Sequence, residues 1–361
     1  MGSLDDSIMG SGLPGRPQSR SDQPADIEHI AYISRKLLVF CLLYIAVATL
    51  VWPRAYYQIA QHYLSLFMIW GLLSVFVVII PAAVINSPRS PIGFLVISLR
   101  SNGLRASIVL TVFILSLAAF TTYKVNIPAI VPFYSDKALA DIGEFLHGRA
   151  AWRIAHAFDS DALALLVAAT YSKIWFLEWF GMVLLAALNA NQLLHLRYLV
   201  ALACVTMVVG TLMAALFSSV GPIFYDEFLG GARYADLLEV LRQHPYNEHV
   251  LQYSDYLLRN YKASNPALGS GISAMPSMHV AVATLNAFYL TRLNRWLGLA
   301  GWAFAIFILF GSIYTGWHYS VDGYISMLVV AVTWRRTAGI FDGERGASGS
   351  TTGAMCPASA T

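Results

Sequence analysis

The chain has 361 residues, 57% of them hydrophobic and only 12% charged, with a formal net charge of +3. A soluble domain carries about 25% charged residues, so these figures exclude an ordinary soluble globule and predict an all-α, polytopic membrane helix bundle. The small net charge argues against nucleic acid as a partner. Cys41, Cys204 and Cys356 are too scattered for a disulfide framework or a paired-cysteine metal pattern.

In chain order, residues 1–30 are rich in Gly, Ser, Asp and Pro and are expected to form a disordered tail. They lack a signal peptide's apolar stretch, and Asp6 stands where a myristoylation signal wants Ser or Thr. A membrane helix needs about 20 mostly apolar residues. About eight runs qualify: 37–56, 63–85, 106–122, 167–189, 197–217, 277–293, 297–314 and 317–335. The first contains Pro53 near its end, and the fourth carries Lys173 and Glu178. Between the second and third, PRSPIGFLVISLRSNGLRAS mixes apolar residues with arginines and predicts an interfacial helix. Residues 337–361 form a second expected tail.

An even number of spans puts both termini and the even-numbered connections on one side. That side holds 13 of the 23 Lys and Arg but only 7 of the 20 Asp and Glu. The positive-inside rule therefore predicts cytoplasmic termini. The long connections 123–166 and 218–276 then lie outside. The first contains ADIGEFLHGRAAWRIAHAF, an amphipathic surface helix with His147 and His156 as interfacial or packing residues. RYADLLEVLRQHP and HVLQYSDYLLRNYKA predict two short helices in the second.

Three stretches share that outer side: SSVGPIFYDEF (218–228), SAMPSMHVA (273–281) and YTGWHYSVDGY (314–324). Each adjoins the end of an apolar run, so they are expected to meet at one membrane boundary. In the second, Pro276 suits the first helical position, where its missing N–H would go unpaired anyway. The amides of Ser277, Met278 and His279 then fall in the first turn, where free N–H groups and the helix dipole attract anions. In the third, His318 and Asp322 stand at i and i+4, on one helix face. Ionisable groups in a membrane are costly and mark function by default. A carboxylate beside an imidazole N–H fixes the tautomer and makes the opposite nitrogen a better nucleophile or base. The plainer use of such a pair is a helix cap or core hydrogen bond. Zinc is disfavoured: catalytic zinc motifs pair histidines closely on one helix, whereas these lie 39 residues apart (318 − 279). No metal and no cofactor is expected.

Pro276-Ser277-Met278-His279, followed by His318-x3-Asp322, resembles the type 2 phosphatidic acid phosphatase superfamily. Its motifs are K-x6-R-P, P-S-G-H and S-R-x5-H-x3-D. Met278 replaces the glycine of the second motif, and Gly311-Ser312 stands at the Ser-Arg pair of the third. The first motif is missing, with GPIFY in its region. These departures resemble the inositol phosphorylceramide synthase-like branch, which keeps His, His and Asp without the phosphatases' basic residues. The resemblance covers about residues 106–335. It implies a six-helix catalytic core at 106–336, with two extra membrane helices and the interfacial helix in 31–105. It also implies His279, His318 and Asp322 as catalytic residues. Pro222, Tyr225, Ser277, Met278 and Tyr314 are expected around the substrate.

A phosphomonoester carries nearly two negative charges at neutral pH and a diester one, and in low dielectric each charge needs a partner. The loss of basic residues therefore suits a diester, unless Arg233, Arg242 or Lys262 folds in from the outer loop. The expected activity is transfer of a phosphoalcohol headgroup, such as phosphoinositol, from a phospholipid donor to a lipid or polyol hydroxyl acceptor through a phosphohistidine. The site is expected on the non-cytoplasmic face. A lipid phosphatase on the same fold is the alternative. A non-catalytic transporter with a His/Asp proton relay is the rival from another class, and Lys173 and Glu178 favour it.

Overall fold

A computed structural model describes residues 24–342 apart from 190 and 268. Most of the two expected tails, with Asp6 and Cys356, lies outside the described residues. The described parts of those tails, 24–30 and 337–342, are helical.

Every regular element among the described residues is a helix. The helices α1 (Pro24–Val51), α2 (Pro53–Ser74), α3 (Ile80–Asn86) and α4 (Pro91–Ile130) come first. Next are α5 (Asp136–His147), α6 (Ala151–Ala155), α7 (Asp161–Ala169), α8 (Trp175–Leu188), α9 (Gln192–Met207) and α10 (Ala214–Leu216). A second connection carries α11 (Pro222–Leu229), α12 (Ala235–Gln243) and α13 (Glu248–Lys262). The chain closes with α14 (Met278–Leu293), α15 (Arg295–Tyr314) and α16 (Ser320–Asp342). Wide π turns at Val75–Ile79, Thr170–Ile174 and Val208–Met213 join α2 to α3, α7 to α8 and α9 to α10.

Six helical runs are long and apolar enough to cross a membrane: Ile27–Val51, Pro53–Ile85, Pro91–Ile130, Asp161–Leu188, Gln192–Leu216 and Arg295–Tyr314. Large apolar side chains point outward along them; Leu43, Leu50 and Leu72 are 61%, 80% and 62% exposed. An outward apolar surface of this kind is solvated by lipid, not water. The two other expected spans, 277–293 and 317–335, are α14 and most of α16. At 16 residues, α14 is about 24 Å long. It is central: Val280 to Ala287 are completely buried by neighbouring helices. Two boundaries differ from expectation. Pro53 opens α2 instead of sitting inside the first span, since a helix start does not need its N–H. The expected interfacial helix runs unbroken into the 106–122 span as the 40-residue α4.

Arg105 donates to the carbonyls of Ala187 and Asn189. Arg197 donates to the Trp334 carbonyl and lies over that ring at 4.0 Å. If this basic end is cytoplasmic, a cysteine replacing the exposed Arg149 faces outside. In a cysteine-free background, Arg149→Cys should react with an impermeant thiol reagent on intact cells. Labelling only after permeabilisation would invert the topology.

Candidate active site

The stretches 218–228, 273–281 and 314–324 meet. Ala274 N–H donates to the Ser219 carbonyl at 2.9 Å, and Met275 N–H to Ser219 Oγ at 3.0 Å. Ile223 N–H donates to the Gly316 carbonyl at 2.8 Å. Gly221 (φ +87°) allows the close approach, because a Cβ there would lie 2.5 Å from the Trp317 carbonyl oxygen. Asp136, fully buried at the start of α5, clasps this junction. It accepts from Val220 N–H at 3.0 Å, Gly221 N–H at 2.9 Å and the Tyr319 hydroxyl at 2.8 Å. Burial pushes its carboxyl above the ordinary range, against the pull of those donors.

His318 is 8% exposed. Its Nδ1 lies 2.7 Å from the Ala274 carbonyl and 3.4 Å from Asp322 Oδ2. A carbonyl only accepts, so Nδ1 carries the proton and Nε2 keeps its lone pair. Asp322 Oδ2 also accepts Tyr319 N–H at 2.9 Å. Because α16 begins at Ser320, this is the N3-to-N-cap half of a capping box. The carboxylate therefore caps the helix and adjoins the imidazole at once. Its Oδ1 is buried without a hydrogen-bond partner.

Pro276 is not the first residue of α14, as the sequence suggested; the helix begins at Met278. Ser277 is the N-cap, its Oγ accepting from Val280 N–H at 3.4 Å. Pro276 stands just outside, and Met278 and His279 occupy the open first turn. The Ser277 N–H reaches the Asp322 carbonyl at 3.4 Å and so ties the two histidine segments together. Met278 packs on the Val208–Met213 turn; a Cβ at Gly210 would lie 3.2 Å from its sulfur. The His279 and His318 ring centroids are 6.5 Å apart.

Two residues that hold His279 were missed from the sequence. Tyr171 stacks on its ring at 4.4 Å and 13°, and Trp175 at 3.9 Å and 30°. Trp175 Nε1 also donates to the His279 carbonyl at 3.1 Å. Both flank or sit in the Thr170–Ile174 π turn, a distortion that recurs at functional sites. The Tyr171 hydroxyl is buried beside Ser277 without closing a hydrogen bond. Gly311 makes room for this ring, since a Cβ there would lie 3.0 Å from Tyr171 Cδ2. Ser312 is fully buried and donates to the Leu309 carbonyl at 2.7 Å.

The other expected site residues divide. Pro222 lines a small cavity with His318 and Tyr319. Tyr225 packs on Tyr234 at 5.2 Å with Arg233 over its ring at 5.6 Å. The Tyr314 hydroxyl is committed to Asp159 at 2.7 Å. Two of the loop cations are committed as well: Arg233 pairs with Asp141 at 2.7 Å and Glu144 at 3.0 Å, and Lys262 with Glu227 at 2.5 Å. Lys173 faces outward, and Glu178 accepts from Asn286 at 2.8 Å. Among the described residues no group of three or more His, Cys, Asp or Glu is placed to hold a metal ion.

Residues 137–335 match the PAP2 superfamily, over more than half of the chain. The chain belongs to the PAP2 superfamily. Searches of curated proteins and of solved structures gave no match. Superfamily membership carries phosphatase or phosphotransferase chemistry in the broad sense, and the matched residues contain His279, His318 and Asp322.

This PAP2-superfamily chain also has a charged latch between the segments that follow α6 and α12. His156 Nδ1 lies 2.9 Å from Asp159, and its ring stacks on Tyr314 at 4.0 Å. His244 bridges Asp159 at 3.0 Å and Asp161 at 2.9 Å. The hydrogen bond to Asp161 raises the His244 imidazole above its ordinary value, with burial opposing and Asp159 adding to it. Burial works against ionisation of Asp159, but hydrogen bonds from Tyr314 and His156 and both nearby rings hold it below the ordinary carboxylate range. A raised histidine stabilises fully below its unfolded value and loses that stability as pH rises through its folded value. A depressed carboxylate stabilises above its unfolded value and loses that stability as pH falls through its folded one. The latch is therefore strongest between about pH 4 and 6.5. Tm should fall from pH 6 towards 8.5, and His244→Gln should flatten that fall. An unchanged slope in the variant would remove His244 from the latch.

Proposed function

We propose that this protein is a membrane phosphotransferase of the inositol phosphorylceramide synthase-like kind, moving a phosphoalcohol headgroup from a phospholipid to a hydroxyl acceptor on the non-cytoplasmic face. The observation that carries this reading is the His318 ring. Its Nδ1 is anchored on the Ala274 carbonyl beside Asp322, and it stands 6.5 Å from His279.

In the first half-reaction, His318 Nε2 attacks phosphorus. The phosphorus–oxygen bond to the lipid alcohol breaks, and His279 gives its proton to the departing oxygen. The headgroup phosphate is then joined to His318. In the second, His279 takes the acceptor's hydroxyl proton, the oxygen attacks phosphorus, and the phosphorus–nitrogen bond breaks to restore His318. The open first turn of α14 offers N–H donors to the transition-state oxygens. Water as acceptor would make the same steps a hydrolysis. A proton-relay transporter gains nothing from Lys173, which points out of the bundle, or from Glu178, which is tied to Asn286.

The test is incubation of purified protein with a labelled phosphoinositol diester lipid or phosphatidic acid and candidate acceptors, followed by mass analysis of products. One charge-assisted hydrogen bond is worth about 1.5–3 kcal/mol, and about 1.4 kcal/mol is a tenfold rate difference. A site short of cations should therefore favour the diester at least about tenfold in kcat/KM. A preference for phosphatidic acid with release of inorganic phosphate would replace this reading with a lipid phosphatase. Adding arginine at Ser312 is not a clean converse test, because that side chain is fully buried.

A further inference from the structure

We infer that the small cavity lined by Gly143, Trp152 and Ser320 beside His318 is a subsite for one hydroxyl of the substrate's headgroup, so that phosphopolyol lipids bind in preference to headgroups without a hydroxyl. The inference rests on the phosphoalcohol chemistry proposed for His318. It concerns the alcohol part of the headgroup, not its phosphate.

His318, Tyr319 and Ser320 line the cavity from the start of α16, and Gly143, Glu144 and Trp152 line it from α5 and α6. Its volume is about 20 Å³. One water-sized oxygen needs about 10–15 Å³, so the cavity takes a single oxygen and neither a ring nor a phosphoryl group. Gly143 provides this room. Glycine inside a helix is less stable than alanine, yet α5 carries one here. Beyond its own helix, a Cβ at Gly143 would meet only Ser320 Oγ within 4 Å, at 3.5 Å. Glu144 is only half-buried, so the cavity reaches the protein surface there.

The polar groups around this space are unsatisfied. Trp152 and Ser320 are 5% and 2% exposed. Neither Trp152 Nε1 nor Ser320 Oγ has a hydrogen-bond partner among the described residues. Buried polar groups are nearly always paired, and leaving one unpaired is costly. The indole N–H only donates, whereas the serine hydroxyl donates and accepts. Glu144 supplies an acceptor. Its Oε1 accepts from Arg233 Nε at 3.2 Å, and its Oε2 lies 3.0 Å from Arg233 Nη2. That fork fixes the carboxylate and leaves it further lone pairs.

A hydroxyl matches this set. Its oxygen accepts from Trp152 and Ser320, and its proton goes to Glu144. A phosphate oxygen would be repelled by the carboxylate. An ammonium has no lone pair for the Trp152 N–H. A methyl group would leave all three residues unpaired. Because His318 lines the same cavity, a hydroxyl held there belongs to the alcohol whose phosphate is at His318, or to water.

Full-length protein in detergent decides between these sources. The probes are labelled phosphatidylinositol and phosphatidylethanol with the same acyl chains; each carries one negative charge, and only the first has headgroup hydroxyls. Equilibrium binding of both is measured for wild type, Ser320→Ala, Trp152→Phe and Gly143→Ala. Wild type should bind phosphatidylinositol at least about tenfold more tightly than phosphatidylethanol. That ratio should fall below about threefold in each variant. Gly143→Ala fills the cavity with a methyl in ordinary contact and favours the helix, so it decides the matter if Trp152→Phe does not fold. A wild-type ratio near one, or a ratio unchanged in the variants, overturns the inference and leaves the cavity to a bound water. If that happens while phospholipid is turned over, the transferase reading survives. If the ratio behaves as expected but no phospholipid is turned over, the hydroxyl subsite stands and the transferase reading falls.

Discussion

His318→Ala should lower kcat by about 10⁴-fold or more and abolish the trapped phosphohistidine, while the protein still folds. Removing a nucleophile leaves only the catalysis supplied by binding and positioned donors, and losses of this size and larger are typical. The fold should tolerate the change because the backbone bond from His318 N–H to the Ser312 carbonyl remains. What is lost is the 2.7 Å bond to Ala274. An acceptor left unpaired there costs about 1–3 kcal/mol, a fall in Tm of a few degrees. His279→Ala removes a general acid and base and should cost less, about 10²–10⁴-fold. The measurements are single-turnover kinetics and mass analysis of the alkali-quenched protein. More than a tenth of wild-type activity in His318→Ala would show that phosphorus is attacked by another group.

Much of this arrangement was legible in the sequence, for physical reasons that also mark where legibility ended. Apolar runs announce membrane helices because lipid leaves no other solvent for them. The i, i+4 spacing of His318 and Asp322 announces a shared face because helical geometry is local. The amphipathic stretch after Asp136 became α5 and α6, with Trp152 buried and Phe145 86% exposed. The failures are non-local. No pattern distinguishes a π turn from the α-helix around it, so Tyr171 and Trp175 read as ordinary span residues. The atom nearest His318 Nδ1 is a main-chain carbonyl, which any residue at 274 would present. Asp136 sits in an unremarkable loop sequence, and only the fold brings Val220, Gly221 and Tyr319 to it.

Asp322 should separate two roles that a single substitution would confound. Its Oδ2 accepts Tyr319 N–H and faces His318 Nδ1, while Oδ1 has no partner. In Asp322→Asn the amide oxygen can take the Oδ2 position and the NH₂ the unpartnered one. The helix cap is then kept and only the negative charge is lost. Where a carboxylate alone sets the histidine tautomer, its amide costs about 10⁴-fold. Here the Ala274 carbonyl, at 2.7 Å against 3.4 Å for Asp322, already holds the proton on Nδ1. The Asn variant should therefore lose less than about 10⁴-fold in kcat and keep a Tm near that of wild type. Asp322→Ala should lose more activity and, with the cap gone, about 1 kcal/mol of stability. Measuring kcat and thermal melts for both variants separates the cases. An Asn variant as inactive as the Ala variant would mean that Ala274 does not hold the tautomer. Full activity in the Asn variant would mean that the negative charge is not needed to support a positive His318, leaving Asp322 as a helix cap alone.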